Sequence, residues 1–495
     1  MIKKLLVPNR GEIAVRIARA CREMGIASAL AFSESDDVTF PRRFFDDAVS
    51  LGSGDARSTY LDVNKVIDAA RACGADALHP GYGFLSERAE LAAACADAGI
   101  VFVGPTADSI AAMGSKAHSR HLMSKLGVPV VPGYDGDDQD PATLAREAAR
   151  IGFPLLVKAS AGGGGKGMKV VTAAAELAGA IESAQRESLK AFGDDRLLLE
   201  RYIEQPRHIE FQIFGDGNGN VVHLFERDCS LQRRHQKVVE ESPAPRYPEE
   251  LRQRMAAAAI AAARGVNYRN AGTVEFIVTP EMDFYFLEMN TRLQVEHPIT
   301  EQVVGVDLVR AQLELASGSP LPWRQEDLRQ RGHAIEVRVY AEDPDDRFLP
   351  QSGTIGVYRE PSGPGVRVDA GVTGGSAIGV LFDPMLAKLI AFAESRETAI
   401  DRLVSAIGDY AILGTKTNLS WLRRAVAHPA FRSGLISTRF LADHEEELRA
   451  TVPEVVPLIA AMLASEGRSV DRPSSGGGAA SIPTVWDSLG GWGRG

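Results

Sequence analysis

The sequence predicts a multidomain protein of mixed α/β and α+β class whose first domain is Rossmann-like. With 495 residues, the chain has room for about three domains of roughly 150 residues each. Short apolar segments alternate with helical patterns over the first hundred residues, which is typical of a parallel, doubly wound sheet. Farther along, apolar segments flank short turns, and this pattern predicts antiparallel hairpins in an α+β arrangement.

The composition excludes several classes of protein. Hydrophobic residues make up 45% of the chain and charged residues 24%, as in folded globular proteins, and the net charge of −10 argues against nucleic-acid binding. No uncharged apolar run reaches the ~18 residues of a membrane span, and the run at residues 5–7 is too short for a signal peptide. Four widely spaced cysteines without a CxxC pair predict reduced thiols and no zinc site, so we expect a cytoplasmic protein.

The N-terminal region consists of predicted strands that alternate with predicted helices. We predict strands over residues 4–7, 28–32, 77–78 and 100–103, and helices over residues 12–24, 63–73 and 87–98. The first strand-to-helix turn contains Gly11 alone and lacks the G-x-G-x-x-G pattern, so NAD binding is not supported.

The rest of the chain divides into three parts. Residues 115–330 combine helices with predicted hairpins, and residues 331–446 contain strands followed by helices, which predicts a further α+β domain. Residues 447–495 predict a helix and a Gly/Ser-rich tail that we expect to be partly disordered. Trp486 and Trp492 lie in this tail, and either a disordered end or a contact with a partner subunit would account for them.

A glycine-rich loop separates two predicted strands, at residues 153–158 and 168–171. Four consecutive glycines, 162–165, let backbone N–H groups approach a phosphate, and Lys158 adds positive charge. Ser160 and Gly167 do not fit a Walker A loop, and a strand follows instead of a helix. The loop therefore predicts either a phosphate-binding hairpin tip or a plain mobile linker.

A second predicted hairpin brings two carboxylates together. If the turn at residues 280–283 pairs residue 279 with residue 284, Glu275 lies opposite Glu288, with Cβ atoms about 5 Å apart. Such like charges repel, and a divalent cation between them would remove the repulsion, with Asn290 as a third oxygen donor. The alternative is a solvated polar face opposite the apolar side of the hairpin.

Polar side chains continue at every second residue after this hairpin. In an extended segment they would share one face, and Pro298 favours an extended conformation at the residue before it. The alternating residues are Glu288, Asn290, Arg292, Gln294 and Glu296. Arg292 suits a small oxyanion, and Glu296 suits a general base. A basic run over residues 227–237 is flanked by acidic residues and contains no aromatic residue, which favours oxyanion binding over RNA binding.

The motifs together resemble those of the biotin carboxylase component of biotin-dependent carboxylases, within the ATP-grasp superfamily. The resemblance covers about residues 1–445 and rests on five segments, at residues 9–14, 79–87, 158–168, 227–237 and 288–298. It implies a Rossmann-like N-terminal domain (1–114), an ATP-grasp domain (115–330) with a glycine-loop lid at about 131–204, a C-terminal α+β domain (331–446) and the tail (447–495).

The same resemblance implies roles for individual residues. ATP phosphates would be bound by Lys116, Lys158, Gly164 and Gly165, the adenine by Glu200, Arg201 and Ile203, and the ribose side by His208, Gln232 and His235. Mg²⁺ or Mn²⁺ would be bound by Glu275, Glu288 and Asn290, and bicarbonate by Lys237, Arg292, Gln294, Val295 and Glu296. Arg338 and Asp383 would face biotin.

The implied reaction is the ATP-dependent carboxylation of biotin through carboxyphosphate, with Glu296, Arg292, Arg338 and Lys237 as catalytic residues. The chain contains no Ala-Met-Lys-Met-like lysine site, so we expect biotin on a separate carrier protein. The resemblance also implies a carboxyltransferase partner and a homodimer, since Arg19, Glu23 and Arg367 match residues of the family's dimer interface. An acyl-CoA carboxylase is the leading expectation. A carboxylase for pyruvate or another acid and an inactive assembly homologue are the alternatives, and the final acceptor is not determined by the sequence.

Overall fold

The computed structural model describes residues 1–160, 168–233 and 236–450, and residues 1–449 form one compact unit. The predicted phosphate ligands Gly164 and Gly165, the predicted ribose-side residue His235 and the two tail tryptophans lie outside the described residues. In the described part, no helix is long and apolar enough to cross a membrane.

The chain begins with a five-stranded parallel sheet in the order β3-β2-β1-β4-β5, which confirms the predicted Rossmann-like arrangement. Its edge strand β3 was not predicted, because it is polar and only half-buried. The elements are β1 (Lys4–Val7), α1 (Gly11–Glu23), β2 (Ala27–Phe32), β3 (Asp47–Ser50), α2 (Val63–Cys73), β4 (Ala77–Leu78), α3 (Ala89–Asp97), β5 (Val101–Phe102), α4 (Ala107–Gly114) and α5 (Lys116–Lys125).

A small four-stranded antiparallel sheet follows, in the order β6-β9-β7-β8. The pairing of β7 with β8 confirms the hairpin predicted on either side of the glycine loop. This sheet has a hydrophobic core of its own, built around Leu144, Val157 and Leu199. The elements are β6 (Gly133–Tyr134), α6 (Pro141–Ile151), β7 (Leu155–Ala159), β8 (Lys169–Val171), α7 (Leu177–Phe192) and β9 (Leu197–Arg201).

The strands of the predicted central and C-terminal domains join one eight-stranded antiparallel sheet. Its order is β14-β13-β10-β11-β12-β15-β22-β20, so the sheet is continuous across residue 331. The central elements are β10 (Arg207–Asp216), β11 (Val221–Arg233), β12 (Gln236–Ser242), α8 (Glu249–Gly265), β13 (Arg269–Val278), β14 (Phe284–Asn290), α9 (His297–Val304) and α10 (Leu308–Ala316).

The C-terminal part adds three strands to that sheet, small two-stranded ribbons and four helices. The elements are β15 (His333–Tyr340), β16 (Glu342–Asp343), β17 (Leu349–Pro350), β18 (Gly353–Thr354), β19 (Val357–Arg359), β20 (Val366–Ala370), β21 (Ala377–Ile378), β22 (Met385–Ala393), α11 (Arg396–Asp409), β23 (Ala411–Leu413), α12 (Leu419–Ala427), α13 (Pro429–Ser433) and α14 (Phe440–Asp443). Short 3₁₀ helices span Pro41–Phe44, Ala174–Glu176, Gln325–Asp327 and Pro344–Asp346.

Helices cover the two faces of the large sheet differently. Helix α9 packs on β11, β12, β15 and β22, whereas α8 packs on β10 and β11, and α11 on β15 and β22. Helix α1 of the parallel sheet also approaches β20 and β22. Gly371, directly after β20, permits this approach, because a Cβ there would lie 2.5 Å from the backbone of Gly11 and Glu12.

Candidate active site

Three carboxylates lie in a row across neighbouring strands of the large sheet. Glu288 on β14 pairs with Glu275 on β13, which pairs in turn with Glu210 on β10, and Arg227 on β11 is the next partner. Glu210, Glu275 and Arg227 are buried. We call this side of the sheet, which α9 covers in part, the acidic face. Like charges in such a row repel strongly unless cations lie among them.

The predicted pairing of Glu275 with Glu288 is confirmed, but the strand register that produces it differs from the predicted one. The predicted pairing of residue 279 with residue 284 is wrong, since Val278 pairs with Phe284. A register shift between Glu275 and Phe276 then restores the opposition of the two glutamates. A bulge of this kind cannot be counted from the turn length alone, because it adds one residue to one strand.

Lys237 on β12 supplies the cation at the centre of the acidic face. Its ammonium contacts Glu210 and lies 2.7 Å from Glu275 Oε1 and 2.6 Å from Glu296 Oε1. Burial lowers the pKa of Lys237, but the three carboxylates outweigh burial and raise it well above its usual value. Ligand atoms of His208, Glu210 and Glu275 also approach within 4.8 Å of one another, at the place that this ammonium neutralises.

Glu296 links Lys237 to Arg338. Glu296 Oε2 accepts a hydrogen bond of 3.0 Å from Arg338 Nη2, and Arg338 Nε donates one of 2.6 Å to Glu240 Oε1. Burial raises the pKa of Glu296, but Lys237 and Arg338 outweigh burial, and the pKa lies well below its usual range. The carboxyl group is therefore ionised at neutral pH and able to accept a proton.

The predicted extended ladder after Glu288 is wrong beyond Asn290. Strand β14 ends at Asn290, a loop follows, and α9 begins at His297, with Pro298 in its first turn. Proline fits there because the first turn of a helix needs no N–H donor, so Pro298 starts a helix instead of extending a strand. A residue before proline usually prefers extended backbone, but His297 is the first residue of helix α9.

The side chains of this loop nevertheless converge on the acidic face. Arg292 donates to Asn290 Oδ1 at 2.9 Å and to Gln294 Oε1 at 3.1 Å. Gln294 Nε2 donates to Glu275 Oε1 at 3.0 Å. These polar side chains therefore lie close together, as predicted, but a compact loop brings them together instead of one face of an extended strand.

Glu87 of the N-terminal part orients Arg292 and was not predicted as a site residue. Its Oε2 accepts a 2.9 Å hydrogen bond from Arg292 Nε, and its Oε1 accepts one of 3.2 Å from the backbone of Thr291. Glu87 ends the segment at residues 79–87 that carries part of the family resemblance. Its place in that segment was the one indication in the sequence that Glu87 belongs to the site, but no spacing rule connects it to Arg292.

A cavity of about 320 Å³ lies between the small sheet and the large one. Most of the predicted nucleotide ligands line it together with apolar side chains, as expected of a site for a ring such as adenine. The predicted ligands among its lining are Lys158, Glu200, Arg201, Ile203, His208 and Gln232. At its end, His208 Nδ1 lies 2.6 Å from Gln232 Nε2, and His208 Nε2 lies 2.8 Å from Glu275 Oε2.

Lys158 is neutralised by a neighbour in the small sheet. Its ammonium contacts Glu200, which also lies 3.3 Å from Arg120 Nη1. Burial raises the pKa of Glu200, but Lys158 and Arg120 outweigh burial and lower it. Lys116, at the start of α5, lies close enough to lower the pKa of Glu288. The contact between Lys158 and Glu200 is therefore one that a nucleotide phosphate would replace.

A second cavity, of about 330 Å³, lies beside Arg292. Four of the predicted residues line it, namely Arg292, Val295, Arg338 and Asp383. Residues that were not predicted complete its wall, namely Asn9, Arg10, Gly11, Glu12, Tyr82, Gly83, Phe84, Tyr340 and Met385. Most of these belong to the segments at residues 9–14 and 79–87. The family resemblance includes both segments but assigns no role to their individual residues.

Lys388 holds the backbone at the wall of this second cavity and was not predicted as a site residue. This fully buried lysine donates a 2.8 Å hydrogen bond to the carbonyl oxygen of Val295, and its Nζ lies 3.1 Å from Glu12 Oε1. The hydroxyl of Tyr82 contacts the same oxygen of Glu12. Lys388 thus ties β22, α1 and the loop before α9 into one wall.

The predicted metal ligands suit a divalent cation. Burial and the charge of Glu275 both raise the pKa of Glu288, although Lys116 lowers it. Asn290 Nδ2 donates to Glu275 Oε1 at 2.8 Å, so the three oxygen-bearing side chains are neighbours. A divalent cation would allow Glu288 to ionise beside Glu275, and carboxylate and amide oxygens are ligands that Mg²⁺ accepts.

The fold and this site define an enzyme of the ATP-grasp class. The family model "Carbamoyl-phosphate synthase L chain, ATP binding domain" matches residues 115–324. The models "Biotin carboxylase, N-terminal domain" and "Biotin carboxylase C-terminal domain" match residues 1–110 and 336–443. The chain belongs to the biotin carboxylase family of ATP-using ligases.

Individual relatives agree with this assignment. The chain is 46% identical over 447 residues to a biotin carboxylase of Halalkalibacterium halodurans, covering 90% of this chain and 98% of that protein. It is 48% identical over 450 residues to the mitochondrial methylcrotonoyl-CoA carboxylase subunit alpha of Dictyostelium discoideum, and spans 91% of its own length but only 64% of that protein.

A solved structure shares the fold. The biotin carboxylase domain dimer of the 2-oxoglutarate carboxylase of Hydrogenobacter thermophilus, in complex with MgADP, ADP and bicarbonate, has a TM-score of 0.88 and 44% identity. The match covers 91% of this chain and all of that one.

Proposed function

We propose that this chain catalyses the ATP-dependent carboxylation of biotin with bicarbonate, the first half-reaction of an acyl-CoA carboxylase. The observation that carries this proposal is the position of Lys237, Arg292, Glu296 and Arg338. Glu296 contacts both Lys237 and Arg338, and Arg292 is linked to Lys237 through Gln294 and Glu275. The cluster lies beside a cavity lined by nucleotide-type residues and a cavity that Arg292 and Arg338 line.

The nucleotide would bind in the cavity of about 320 Å³. Lys158 would exchange its contact with Glu200 for ATP phosphates, and Lys116 would add a second positive charge there, while Glu200 and Ile203 would border the adenine. Gly164 and Gly165 would close over the phosphates, as the resemblance implies. A divalent cation held by Glu275, Glu288 and Asn290 would screen the negative charge of the phosphates.

Bicarbonate would bind between Lys237 and Arg292, next to Gln294 and the backbone of Val295. Glu296, ionised by its two cationic neighbours, would take the bicarbonate proton, so that a bicarbonate oxygen can attack the γ-phosphate of ATP and form carboxyphosphate and ADP. Lys237 and Arg292 would hold the anion in line for this attack.

Biotin would enter the cavity of about 330 Å³. Carboxyphosphate would break down there to CO₂ and phosphate, and the phosphate would remove the N1′ proton of biotin. Arg338 would stabilise the negative charge that develops on the biotin carbonyl oxygen while N1′ captures CO₂. Asp383, exposed at the rim of the cavity, would border the incoming ring.

The remaining features of the proposal concern the assembly. We infer that biotin arrives on a separate carrier protein, that a carboxyltransferase completes the reaction, and that the chain forms a cytoplasmic homodimer with domains at 1–114, 115–330 and 331–446. The similarity to a 2-oxoglutarate carboxylase supports a second candidate, in which the same half-reaction serves a 2-oxo acid instead of an acyl-CoA.

The test is release of ADP that depends on both bicarbonate and free biotin, together with transfer of labelled bicarbonate to biotin. We expect Glu296→Gln to lower this rate by about 10²- to 10⁴-fold, because it removes the proton acceptor. The matched control is Glu314→Gln, which removes a half-buried carboxylate that pairs with Arg310 on α10, away from both cavities. Full activity of Glu296→Gln, or no biotin-dependent turnover in the wild type, would contradict the proposal.

A further inference from the structure

Two buried glutamates lie behind Arg338, and neither lines the cavity that Arg338 enters. Glu240 on β12 and Glu336 on β15 are direct cross-strand partners, and both are fully buried. Side chains in this relation have Cβ atoms about 5 Å apart. The pair lies under α9, which packs on both strands.

The hydrogen bonds of the pair are incomplete. Arg338 Nε donates to Glu240 Oε1 at 2.6 Å, but Glu240 Oε2 and both carboxyl oxygens of Glu336 have no hydrogen-bond partner among the described residues. Two adjacent buried carboxylates cannot both be ionised at moderate cost. A proton between them supplies the donor that the free oxygens lack.

The charged groups around the pair set where that proton lies. Arg338, Lys237, Lys388 and Glu296 face it from β15, β12, β22 and the loop before α9. Burial raises the pKa of Glu240 to about 7, with Arg338 opposing and Glu296 adding to the effect. Burial also raises the pKa of Glu336 well above its usual value, against the pull of Lys388. Above pH 7, Glu336 therefore keeps the proton and Glu240 is ionised.

We propose that Glu240 and Glu336 form a proton-sharing pair that positions Arg338, with the ionised carboxylate of Glu240 holding the guanidinium by its Nε. This inference rests on the proposed function, in which Arg338 faces biotin. Held at Nε, the guanidinium presents its Nη groups to Glu296 and to the cavity. Glu240 and Glu336 are positioning residues, since they act only through Arg338.

The pair makes the interaction between Glu240 and Arg338 dependent on pH. Below pH 7, the pair takes up a second proton, on Glu240, the attraction of Glu240 for the guanidinium falls, and Glu296 becomes the one ionised carboxylate that holds Arg338. The binding of biotin therefore weakens on the acid side of pH 7, while the binding of ATP, at the other cavity, does not change with this group.

The catalytic test compares the wild type with Glu240→Gln and with Glu226→Gln. Glu226 is a buried glutamate of the same sheet that pairs with Arg252 on the opposite face, and it serves as the matched control. We expect Glu240→Gln to raise the KM for biotin about tenfold, as loss of a charged hydrogen bond does, with the KM for ATP unchanged. We also expect the acid limb of kcat/KM for biotin near pH 7 to disappear. An unchanged KM for biotin, or an acid limb that persists in Glu240→Gln, would overturn the proposal.

A spectroscopic test needs neither substrate nor turnover. Infrared spectra of the full chain at pH 8 should contain the absorption of a buried protonated carboxyl group that Glu336→Gln removes and Glu226→Gln keeps. An unchanged absorption in Glu336→Gln would rule out the shared proton. If that absorption is lost but biotin supports no turnover in the wild type, the proton-sharing pair stands and the proposed function fails, so the two failures are distinguishable.

Discussion

The two faces of the eight-stranded sheet differ in how their buried carboxyl groups are neutralised. On the acidic face, burial raises the pKa values of four carboxyl groups, and the pKa is lowered against the effect of burial at the two other glutamates that contact Lys237, Glu275 and Glu296. The four groups with raised pKa values are Glu210, Glu240, Glu288 and Glu336. On the opposite face, which α8 and α11 cover, carboxylates meet matching arginines. Arg207 pairs with Asp228, Arg252 with Glu226 and Arg396 with Glu241.

The difference separates stability from function within one sheet. Ion pairs on the opposite face are complete, so they hold strands and helices together without any ligand. The acidic face contains more carboxylates than cations, and it gains from a metal ion or from protons. A surplus of one charge in a buried place is unfavourable for folding alone, and such places concentrate at functional sites.

The largest expected effect comes from removing the central cation of the acidic face. Lys237→Gln leaves Glu210, Glu275 and Glu296 without their shared partner and removes a group that would bind bicarbonate. We expect bicarbonate-dependent ATP hydrolysis to fall by about 10²- to 10³-fold, as when a preorganised charge contact is lost. Steady-state rates at saturating ATP give the measurement.

The control for this comparison is Arg252→Gln, which removes a cation from the buried carboxylate Glu226 on the opposite face. We expect its kcat to match the wild type and its stability alone to fall. Equal losses of activity in the two variants would break the distinction between the faces.

The next largest effect concerns two neighbouring glutamates on opposite faces. Burial raises the pKa of Glu241, but hydrogen bonds from His333 and Arg396 outweigh it and lower the pKa to about 2. A depressed pKa stabilises the fold above the unfolded value of 4.5, and this stability is lost as pH falls toward 2. We expect Glu241→Gln to lower the free energy of unfolding by about 3 kcal/mol at pH 7, with a much smaller loss at pH 3.

Its matched partner, Glu240→Gln, should respond to pH in the opposite sense. The raised pKa of about 7 favours the fold while Glu240 is protonated, and this contribution is lost as pH rises from 4.5 through 7. The stability of Glu240→Gln relative to the wild type should therefore increase across that window. Urea unfolding at several pH values measures both variants, and the same pH trend in both would contradict the assignment of the faces.

The smallest effect is that of a divalent cation on stability. We expect Mg²⁺ at ten times its dissociation constant to stabilise the wild type by about 1.4 kcal/mol, since it binds only the folded acidic face. Glu288→Gln should abolish this gain. Glu281→Gln, which changes an exposed carboxylate in the turn of the same hairpin, should keep it. Thermal unfolding at constant ionic strength measures the shift, and an equal shift in Glu288→Gln would contradict the metal site.

The sequence predicts the parts of this fold and site that depend on neighbouring residues. Alternating strands and helices identify the parallel sheet, and a short turn brings Glu275 opposite Glu288. The family resemblance supplies Lys237 and Arg338, which no local pattern connects to Glu296. These predictions succeed because the residues belong to short motifs or to one hairpin.

The rest depends on pairing between distant strands. Glu210 meets Glu275 because β10 pairs with β13, and Glu240 meets Glu336 because β12 pairs with β15, across nearly a hundred residues of chain. Single glutamates in buried strands give no signal of a partner. The ladder after Asn290 was mistaken for a strand because a helix start at Pro298 and an extended segment can share one polar pattern.

Strand β12 contains one residue more than its partner β11 between two neighbouring paired positions. Gln232 pairs with Lys237 and Leu231 with Val239, so Val238 is the additional residue. In a regular strand, Lys237 and Glu240 would point to opposite sides. The extra residue shifts the phase of the strand, so that both reach the same side. Deleting Val238 would bring Lys237 and Glu240 to a separation of two residues, at which a regular strand places both side chains on one face. The bulge is therefore what allows three residues of chain to separate the central ammonium from Glu240 while both serve the same site.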